Sequence, residues 1–453
     1  MAQTNQHKLQ LDITNREILK TVVPISMAIL IPQINFITNN IFLGHYNSDN
    51  ASLAVAGITG VYYLIFAAIG FGLNNGLQAL ISRKAGENKP EEIGDLFNQG
   101  IWIGLILAAL GIILTYTVAP LIFERVLHDT SITNKAIHFL HWRIWGLPFL
   151  YVYLLRNSLL VGTNQSKLLI AGTLAETITN IVLDYALIFG HFGLPELGFQ
   201  GAAIASVISE IVGLLVIFWV IHSKGIGKRF NLFVNLAWNK NNNRQILSIS
   251  APLMFQHAIS IISWQYFFLL VEHHGFLALK ISNVMRNVFG IFGVFNWAFA
   301  SATNTMVSNI IGQGKQDQVG LLIKRLLIFS TGISIISVTI LNLFPSTFLS
   351  IFGQDEAFIV AATPTLRVVT GAMLLMSVAI VFLNTVIASG NTKITFMIEA
   401  GAIILYCIFI YTVLETFNLP VEYGWMSEWL YWTCLLLPSL WYIKSGRWKN
   451  KTI

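Results

Sequence analysis

The stretch Glu176-Thr-Ile-Thr-Asn180-Ile-Val-Leu-Asp184 lies inside an apolar run from about 168 to 190. A run of about 20 apolar residues is long enough to cross a bilayer as a helix. Glu176, Asn180 and Asp184 are four residues apart, so a helix places them on one side. A carboxylate inside a membrane helix costs about 3 kcal/mol and is normally kept where it faces protein or a water-filled cavity. Asp184 therefore indicates a functional site, whereas Asn180 alone is equally explained by a hydrogen bond between helices.

The composition is that of an integral membrane protein. Of the 453 residues, 55% are hydrophobic and only 11% are charged. The first 18 residues are polar, and we expect the apolar segment after them to be a retained membrane helix and not a cleaved signal peptide. Cys407 and Cys434 lie in apolar segments, which favours burial over a disulfide or a metal site. We expect no nucleic-acid partner, because in a membrane chain the distribution of the net charge of +6 matters more than its sum.

Polar breaks divide the chain into apolar segments that predict twelve transmembrane helices and an all-α fold. The predicted segments are 19–44, 52–81, 95–120, 133–162, 168–190, 199–222, 245–272, 277–311, 320–345, 357–389, 394–415 and 425–443. An even number of helices places both termini on the same side of the membrane. With this numbering, 20 of the 27 Lys and Arg residues fall on the side of the termini, which predicts that both termini are cytoplasmic.

The two halves of the chain resemble each other. Ser82-Arg-Lys-Ala-Gly-Glu-Asn-Lys89 matches Ser308-Asn-Ile-Ile-Gly-Gln-Gly-Lys315 at an offset of 226, and Lys167 matches Lys393 at the same offset. Six helices per half, inserted in the same direction, predict two lobes related by a parallel repeat, as in transporters with a binding site between lobes. The predicted domains are an N-terminal lobe at 1–222, a cytoplasmic linker at 223–244 and a C-terminal lobe at 245–453.

Helix rise predicts which polar side chains lie at the same depth. Counting 1.5 Å per residue from the predicted outer helix ends puts Asn39, Asp184 and Ser206 roughly 8–10 Å inside the membrane. Asn180 and Glu210 lie roughly 15–16 Å inside it. Carboxylate, amide and hydroxyl oxygens at matched depth suit a proton or a small hard cation such as Na⁺. The predicted cation site therefore comprises Asp184, Asn180, Asn39, Ser206, Glu210 and Glu176.

The predicted site has no counterpart in the second half of the chain. An offset of 226 maps Glu176, Asn180 and Asp184 onto Ala402, Tyr406 and Ile410. The second half does contain Glu399 in an apolar segment. The sequence is compatible with a buried structural role for Glu399 and with a functional one. The sequence therefore predicts a symmetric fold whose coupling chemistry is confined to the first lobe.

The chain resembles the multidrug and toxic compound extrusion (MATE) transporters along nearly its whole length. The resemblance rests on Pro24 followed fifteen residues later by Asn39, on the 82–89 loop, and on Asn-Ile-Val-Leu-Asp184-Tyr-Ala-Leu-Ile-Phe-Gly190. It also rests on Gly-Leu-Pro-Glu-Leu-Gly-Phe-Gln-Gly-Ala-Ala-Ile-Ala-Ser206 and on the second-half stretch Ala-Thr-Asn-Thr305-Met-Val-Ser308-Asn-Ile-Ile-Gly312. The order, spacing and duplication of these motifs are more specific than any one of them.

The resemblance implies an antiporter, not an enzyme, that exports cationic or amphiphilic small molecules while H⁺ or Na⁺ enters. It implies cation binding at Asn180, Asp184 and the Ser206 hydroxyl, and a conformational switch at Pro24. No cofactor is expected beyond the coupling ion, and we expect a monomer in the inner membrane. Asn39 stands where the family usually has Asp, and a neutral amide can coordinate a cation but carries no proton at ordinary pH.

Two other functions stay open at the level of the sequence. A flippase for lipid-linked saccharides would line its cavity with cationic side chains, and Arg143, Arg156, Arg286 and Arg367 are available within apolar segments. A membrane-embedded lipid enzyme would need clustered acids or histidines at the cytoplasmic interface. The acidic residues of the predicted cytoplasmic loops are instead typical of solvated charge.

Overall fold

The computed structural model describes residues 8–46, 50–126, 130–350, 352 and 355–450. Within these ranges the chain forms helices and turns, without a β-strand. The helices of the first half are α1 (Asn15–Tyr46), α2 (Asn50–Gly86), α3 (Pro90–Thr117), α4 (Ala119–Val126), α5 (Thr130–Arg143), α6 (Leu147–Gly162), α7 (Leu169–Phe189), α8 (Phe199–Ser223) and α9 (Ile226–Arg229). Those of the second half are α10 (Lys240–His273), α11 (Phe276–Gly312), α12 (Val319–Leu343), α13 (Pro345–Ser350), α14 (Glu356–Ala388), α15 (Thr392–Ile410), α16 (Val421–Trp425) and α17 (Ser427–Lys444).

The all-helical membrane fold predicted from the sequence is confirmed. Among the described residues, ten helical stretches are long and apolar enough to cross a membrane, and each overlaps a predicted segment. The other two predicted segments, 277–311 and 425–443, coincide with α11 and α17. The number of twelve spans stays a prediction for these two helices.

One predicted segment, 133–162, is interrupted. It consists of α5 and α6, joined by a 3₁₀ turn at Ile144–Gly146. Pro148 lies in the first turn of α6. A proline has no N–H to bond the carbonyl four residues earlier, and its ring crowds that carbonyl, so an uninterrupted α-helix across this point is disfavoured. The turn places Arg143 and Gly146 beside Glu210 of α8.

The structure divides into two compact units, each with its own interior. In the described part of the chain, the first unit comprises the residues before Gln10 and those from Met27 to Met254, and the second comprises Gln10–Ser26 and the residues from Phe255 onward. Residues of α1 therefore belong to both units, with the change between Ser26 and Met27. In the second unit, Trp425 is buried in the apolar core and donates its indole N–H to Ser282 Oγ at 3.0 Å. The domain boundaries at 222 and 245 stay a prediction.

The sequence repeat is visible in the backbone of the turns. Asn88 after α2 and Gly314 after α11 have φ angles of 58° and 75°. The next N–H in each turn donates to the carbonyl five residues before it, at 3.0 and 3.1 Å. Asn164 after α6 and Gly390 after α14 repeat this turn, with φ of 63° and 86° and bonds of 2.7 and 3.3 Å. Because only Gly and Asn adopt this left-handed conformation routinely, these turns end the preceding helices at equivalent positions.

Glycine residues let α7 and α8 approach closely. A Cβ atom at Gly213 would lie 2.8 Å from Glu176 Cβ, and one at Gly201 would lie 2.7 Å from the Leu187 carbonyl oxygen. Small residues are the usual means of close helix packing in a membrane, where apolar surface alone gives little attraction between helices. The close contact brings the polar side of α7 directly against α8.

The first prediction concerns topology. We expect reporters fused after Lys89 and Asn242 to be read as cytoplasmic, because the flanking Lys and Arg residues favour that side. Reporters inserted near Asn50 and Glu196 should be read as external. The measurement is a paired alkaline phosphatase and green fluorescent protein fusion at each site. A cytoplasmic signal from the Glu196 fusion would contradict the pairing of α7 and α8 as outward and returning helices.

Candidate functional site

Asn180 is the centre of a buried polar cluster in the first unit. It lies on α7 one turn before Asp184, and the two residues are 2% and 1% exposed. The neighbours of Asn180 orient its amide so that the oxygen faces donors and the nitrogen faces acceptors. The nitrogen then lies 3.2 Å from Asp184 Oδ2 and 2.8 Å from Asn35 Oδ1 of α1. The oxygen lies 3.2 Å from Ser209 Oγ of α8.

Asp184 keeps one carboxylate oxygen available. Its Oδ2 accepts from Asn180, whereas its Oδ1 is buried and has no hydrogen-bond partner among the described residues. An ionised carboxylate accepts hydrogen bonds or binds cations, and a buried oxygen that does neither is costly. The free oxygen is therefore the atom of this cluster best suited to receive a proton or ligate a small cation.

The structure places the side chains of two further predicted ligands, Ser206 and Asn39, differently from the sequence prediction. Ser206 contributes its backbone N–H, 3.2 Å from the Asn180 side-chain oxygen, and the hydroxyl at this oxygen belongs to Ser209. Asn39 lies one turn after Asn35 on α1, and its buried Oδ1 has no hydrogen-bond partner among the residues that the structure describes. The contact between α1 and Asn180 is thus made by Asn35. Among Asn39, Asn180, Asp184 and Ser206, the buried side-chain oxygens without a hydrogen-bond partner in the described part of the chain are Asn39 Oδ1 and Asp184 Oδ1.

Asn35 and Ser209 were not predicted as site residues. Each lies one helix turn from a residue that was: Asn35 is four residues before Asn39, and Ser209 is three residues after Ser206. Residues three and four apart are neighbours on a helix surface. The signal was therefore present as a second polar residue on the same side of each helix.

Glu210 belongs to an ion pair. Its Oε1 lies 2.7 Å from Arg143 Nη2, and its Oε2 lies 3.3 Å from Arg143 Nη1. The same Nη1 donates to the Tyr63 hydroxyl at 2.9 Å, and the guanidinium lies 3.8 Å from the centre of the Tyr63 ring. Both oxygens of Glu210 are therefore engaged by arginine. The depth estimate placed Glu210 level with Asn180 but gave no indication of this partner.

Glu176, the third acid of the predicted site, lies on α7 one turn after Gly172, where an added Cβ atom would lie 3.5 Å from Arg156 Nη2. Glu176 Oε2 is buried and has no hydrogen-bond partner within the described ranges. The predicted cluster of six residues is thus two neighbouring groups: one around Asn180 and Asp184, the other around Glu176 and Glu210.

Comparisons with known proteins identify the family of this chain. A family model described as MatE matches residues 24–186 and, a second time, 252–412. The chain belongs to the MatE family. Members of this family are transporters and not enzymes, so the alternative of a membrane-embedded lipid enzyme is wrong. The two matches fall one in each half of this MATE transporter, in agreement with the repeat.

Two curated relatives and two solved structures define what this MATE transporter is similar to. The probable multidrug resistance protein YoeA of Bacillus subtilis is 24% identical over 386 residues, covering 82% of each chain. The probable multidrug resistance protein NorM of Pasteurella multocida is 24% identical over 429 residues, covering 94% of this chain and 88% of the relative. A MOP superfamily transporter from Pyrococcus furiosus, described as having a binding pocket of reversed polarity, is 16% identical over all of both chains, with a TM-score of 0.89. An outward-facing MATE transporter has a TM-score of 0.88 at 16% identity over all of both chains, which shows the shared fold.

Pro24 lies within α1, which is continuous from Asn15 to Tyr46. Pro24 is buried, and α1 changes from the second unit to the first just after it, between Ser26 and Met27. A proline inside a helix removes one backbone hydrogen bond and weakens the helix locally. A conformational switch at Pro24 stays a prediction.

The second unit of this MATE transporter holds Glu399 in a different environment. Glu399 Oε1 accepts hydrogen bonds from Ser260 Oγ, at 2.5 Å, and from the Tyr431 hydroxyl. Its Oε2 accepts from Gln256 Nε2 at 3.3 Å. These three donors come from α10 and α17 and satisfy both oxygens of the carboxyl group. Glu399 therefore has the contacts of a residue that joins helices, in contrast to the free oxygen of Asp184.

The second prediction tests Asn35. We expect Asn35→Leu to raise the cation concentration needed for half-maximal transport about threefold to tenfold, because a lost hydrogen bond within the cluster is worth about 0.5–1.5 kcal/mol. The measurement is the cation dependence of export in vesicles. Thr38→Val is the matched control, since the one hydrogen bond of the Thr38 hydroxyl to a described residue goes to the Ile34 carbonyl of its own helix. An unchanged cation dependence in well-inserted Asn35→Leu protein would show that the α1 contact is not part of the site.

The third prediction tests Glu399. We expect Glu399→Gln to retain most gradient-driven export and to lower the free energy of unfolding by about 1–3 kcal/mol, because weaker neutral hydrogen bonds replace those to a carboxylate. Glu399→Leu should destabilise the protein further, since Ser260, Tyr431 and Gln256 then lose their acceptor. Thermal unfolding in detergent and export in vesicles measure the two effects. Loss of export from correctly inserted Glu399→Gln protein would contradict a purely structural role.

Proposed function

We propose that this MATE transporter is an antiporter that exports organic cations, drugs or related amphiphiles by alternating access, driven by the entry of H⁺ or Na⁺. The observation that carries the proposal is the buried Asp184 carboxylate, with one oxygen engaged by Asn180 and the other free. Relatives named as multidrug resistance proteins support the substrate class.

A buried carboxylate with a free oxygen can couple an ion gradient to conformational change. With no cation bound, the charge of Asp184 is costly in an apolar surrounding, and a bound proton or Na⁺ removes that cost. A cation that binds one conformation more strongly shifts the protein towards that conformation. Antiport follows when the cation and the exported compound favour opposite states.

We infer an inner-membrane location, with both termini in the cytoplasm and a monomeric transporter. The asymmetric distribution of Lys and Arg between predicted loops supports the orientation. The pseudo-repeated halves of a single chain supply the two lobes that alternating access requires. One chain is then sufficient for transport.

The flippase alternative is less well supported by the contacts of the arginines. It requires cationic side chains free to hold a pyrophosphate group. Arg143 instead pairs with Glu210, and the fully buried Arg156 stacks 3.8 Å above the Tyr153 ring. Arg286 lies 5.3 Å from the centre of the Phe268 ring. Each of these three guanidinium groups thus has an acidic or aromatic contact, and these contacts favour the antiporter.

The fourth prediction tests the coupling role of Asp184. We expect Asp184→Asn to reduce gradient-driven drug export to the rate of cells without the transporter, because the amide can neither take up a proton nor neutralise a cation. Folding should be preserved, since removing an unpaired buried charge need not destabilise a protein. The measurement is export of a fluorescent cationic drug from cells without other drug pumps, with and without imposed Na⁺ and pH gradients.

Asp317→Asn is the matched control, because Asp317 is an exposed carboxylate in the turn before α12 and undergoes the same chemical change. Comparing the imposed Na⁺ and pH gradients identifies the coupling ion of the unaltered protein. Normal export by Asp184→Asn under a maintained gradient would contradict the proposed site. Coupling would then have to be sought at Glu210 or Glu399.

A further inference from the structure

The predicted linker between the two halves is attached to α3 by a buried amide. Asn98 of α3 is 0% exposed. Its Nδ2 donates to the Asn235 carbonyl at 3.1 Å, and its Oδ1 accepts from the Phe233 N–H at 3.0 Å. A side chain at Gly94, one turn earlier, would collide with the Phe230 carbonyl oxygen. The linker segment, residues 230–239, therefore lies directly against α3 within the first unit.

Two further side chains of α3 continue this attachment. Gln99 Nε2 donates to the Ala237 carbonyl at 2.8 Å, and Gln99 Oε1 accepts from the Asn239 N–H at 3.0 Å. Trp102 donates its indole N–H to the Leu236 carbonyl at 2.9 Å. Side chains of α3 thus bind three carbonyls and two N–H groups of the linker segment. A non-helical chain is tolerated at membrane depth only where protein supplies such partners for its backbone.

The position along α3 places the linker segment at one edge of the membrane. α3 ends at Thr117, and about 20 helical residues cross the hydrocarbon layer. Counted back from Thr117, this length reaches Asn98. From Trp102 onward, α3 exposes large apolar side chains, including Ile106 and Ile113. The linker segment therefore adjoins the lipid-facing surface of α3, at the level where tryptophan is enriched in membrane proteins.

The linker segment exposes apolar side chains of its own. Val234, Leu236 and Trp238 are 76%, 48% and 57% exposed. Adjoining exposed apolar groups mark a surface for contact with a protein or a membrane. Because the Leu236 carbonyl is bound by Trp102, this surface continues the lipid-facing side of α3. Its position therefore favours the bilayer as the contact.

The charges around the linker segment are all positive. Residues 222–244 contain five Lys and Arg residues and neither Asp nor Glu. The exposed cations of this stretch are Lys224, Lys228, Lys240 and Arg244. Clusters of about four to eight Lys and Arg residues next to a membrane segment attract anionic lipid headgroups. Exposed apolar side chains combined with basic residues are typical of segments that lie in the membrane interface.

We propose that the linker segment is a membrane-surface anchor. It inserts its exposed apolar side chains at the boundary between headgroups and acyl chains, and the four exposed cations beside it bind the headgroups of anionic phospholipids. The proposal goes beyond the proposed antiport and takes from it only the cytoplasmic side of the linker. The reporter fusion after Asn242 tests that side separately.

The test is the membrane depth of a spin label at Val234→Cys. The label is attached to the full chain carrying Cys407→Ala and Cys434→Ala, reconstituted in nanodiscs of phosphatidylcholine alone or mixed with phosphatidylglycerol. Collisions with oxygen, which concentrates among acyl chains, are compared with collisions with a water-soluble nickel complex. Ile113→Cys provides the lipid-exposed reference and Gln318→Cys the water-exposed one.

We expect the label at Val234→Cys to lie about 5–10 Å inside the headgroup level. Collisions with oxygen should exceed those with nickel, as at Ile113→Cys, and phosphatidylglycerol should increase the difference. The increase should be lost when the four exposed cations of the linker are replaced by Gln. The matched control removes four exposed cations of the second unit and should keep the increase; its changes are Lys315→Gln, Lys324→Gln, Lys393→Gln and Lys444→Gln.

Two results would contradict the anchor. Nickel collisions as frequent at Val234→Cys as at Gln318→Cys, in both lipid compositions, would place the linker segment in water, where a protein partner could bind it. An equal effect of phosphatidylglycerol in the linker variant and its control would show that these four cations do not bind the headgroups.

A second measurement decides if the cysteine-free protein does not fold. Phosphatidylglycerol added to detergent-solubilised protein with its native cysteines should raise the Tm of wild type and of the second-unit control, but not that of the linker variant. An equal rise in all three proteins, or none in any, would contradict headgroup binding. If the fourfold linker variant does not fold, Lys224→Gln/Lys240→Gln replaces it, with a reduced rise expected. None of these readouts requires transport, so the anchor and the antiport can fail separately.

Discussion

A carboxylate kept inside an apolar helix bundle is the constraint on which the first unit depends. Asp184 is almost completely buried, and its charge must be compensated by hydrogen bonds, by neighbouring cations or by a bound ion. Asn180 satisfies one of its oxygens and is itself held by α1 and α8. The glycine contacts between α7 and α8 make this arrangement possible, since a side chain at Gly213 would move Glu176 and the polar side of α7 away from α8. The polar contacts of α7 therefore depend on its close packing against α8.

Much of this arrangement could be predicted from the sequence, because it depends on spacing along single helices. The four-residue interval from Glu176 to Asp184 and the apolar segment lengths predicted the helices and the polar side of α7. The repeated turns could also be predicted, since they require residues such as Asn164 and Gly390 that tolerate a positive φ.

What could not be predicted is how different helices are rotated towards one another. Counting residues gives the depth of a side chain but not its direction around the helix axis. Asn35 and Asn39 share one side of α1, and only the packed structure shows that Asn35 contacts Asn180. The pairing of Arg143 with Glu210 spans 67 residues and depends on the 3₁₀ turn before α6, so no local pattern indicates it. The two halves share their backbone turns, but their acids have different environments: Glu399 is fully hydrogen-bonded and Asp184 is not.

The repeated turns also have a consequence for how the chain is made. At the two equivalent positions, the first half uses Asn88 and Asn164, and the second half uses Gly314 and Gly390. Glycine adopts a positive φ without the steric cost that a side chain has there, which offsets its larger loss of conformational freedom on folding. The turns of both halves can therefore be ordered by local backbone preference. Helix pairs of the first half can form in this way before the second half has been synthesised.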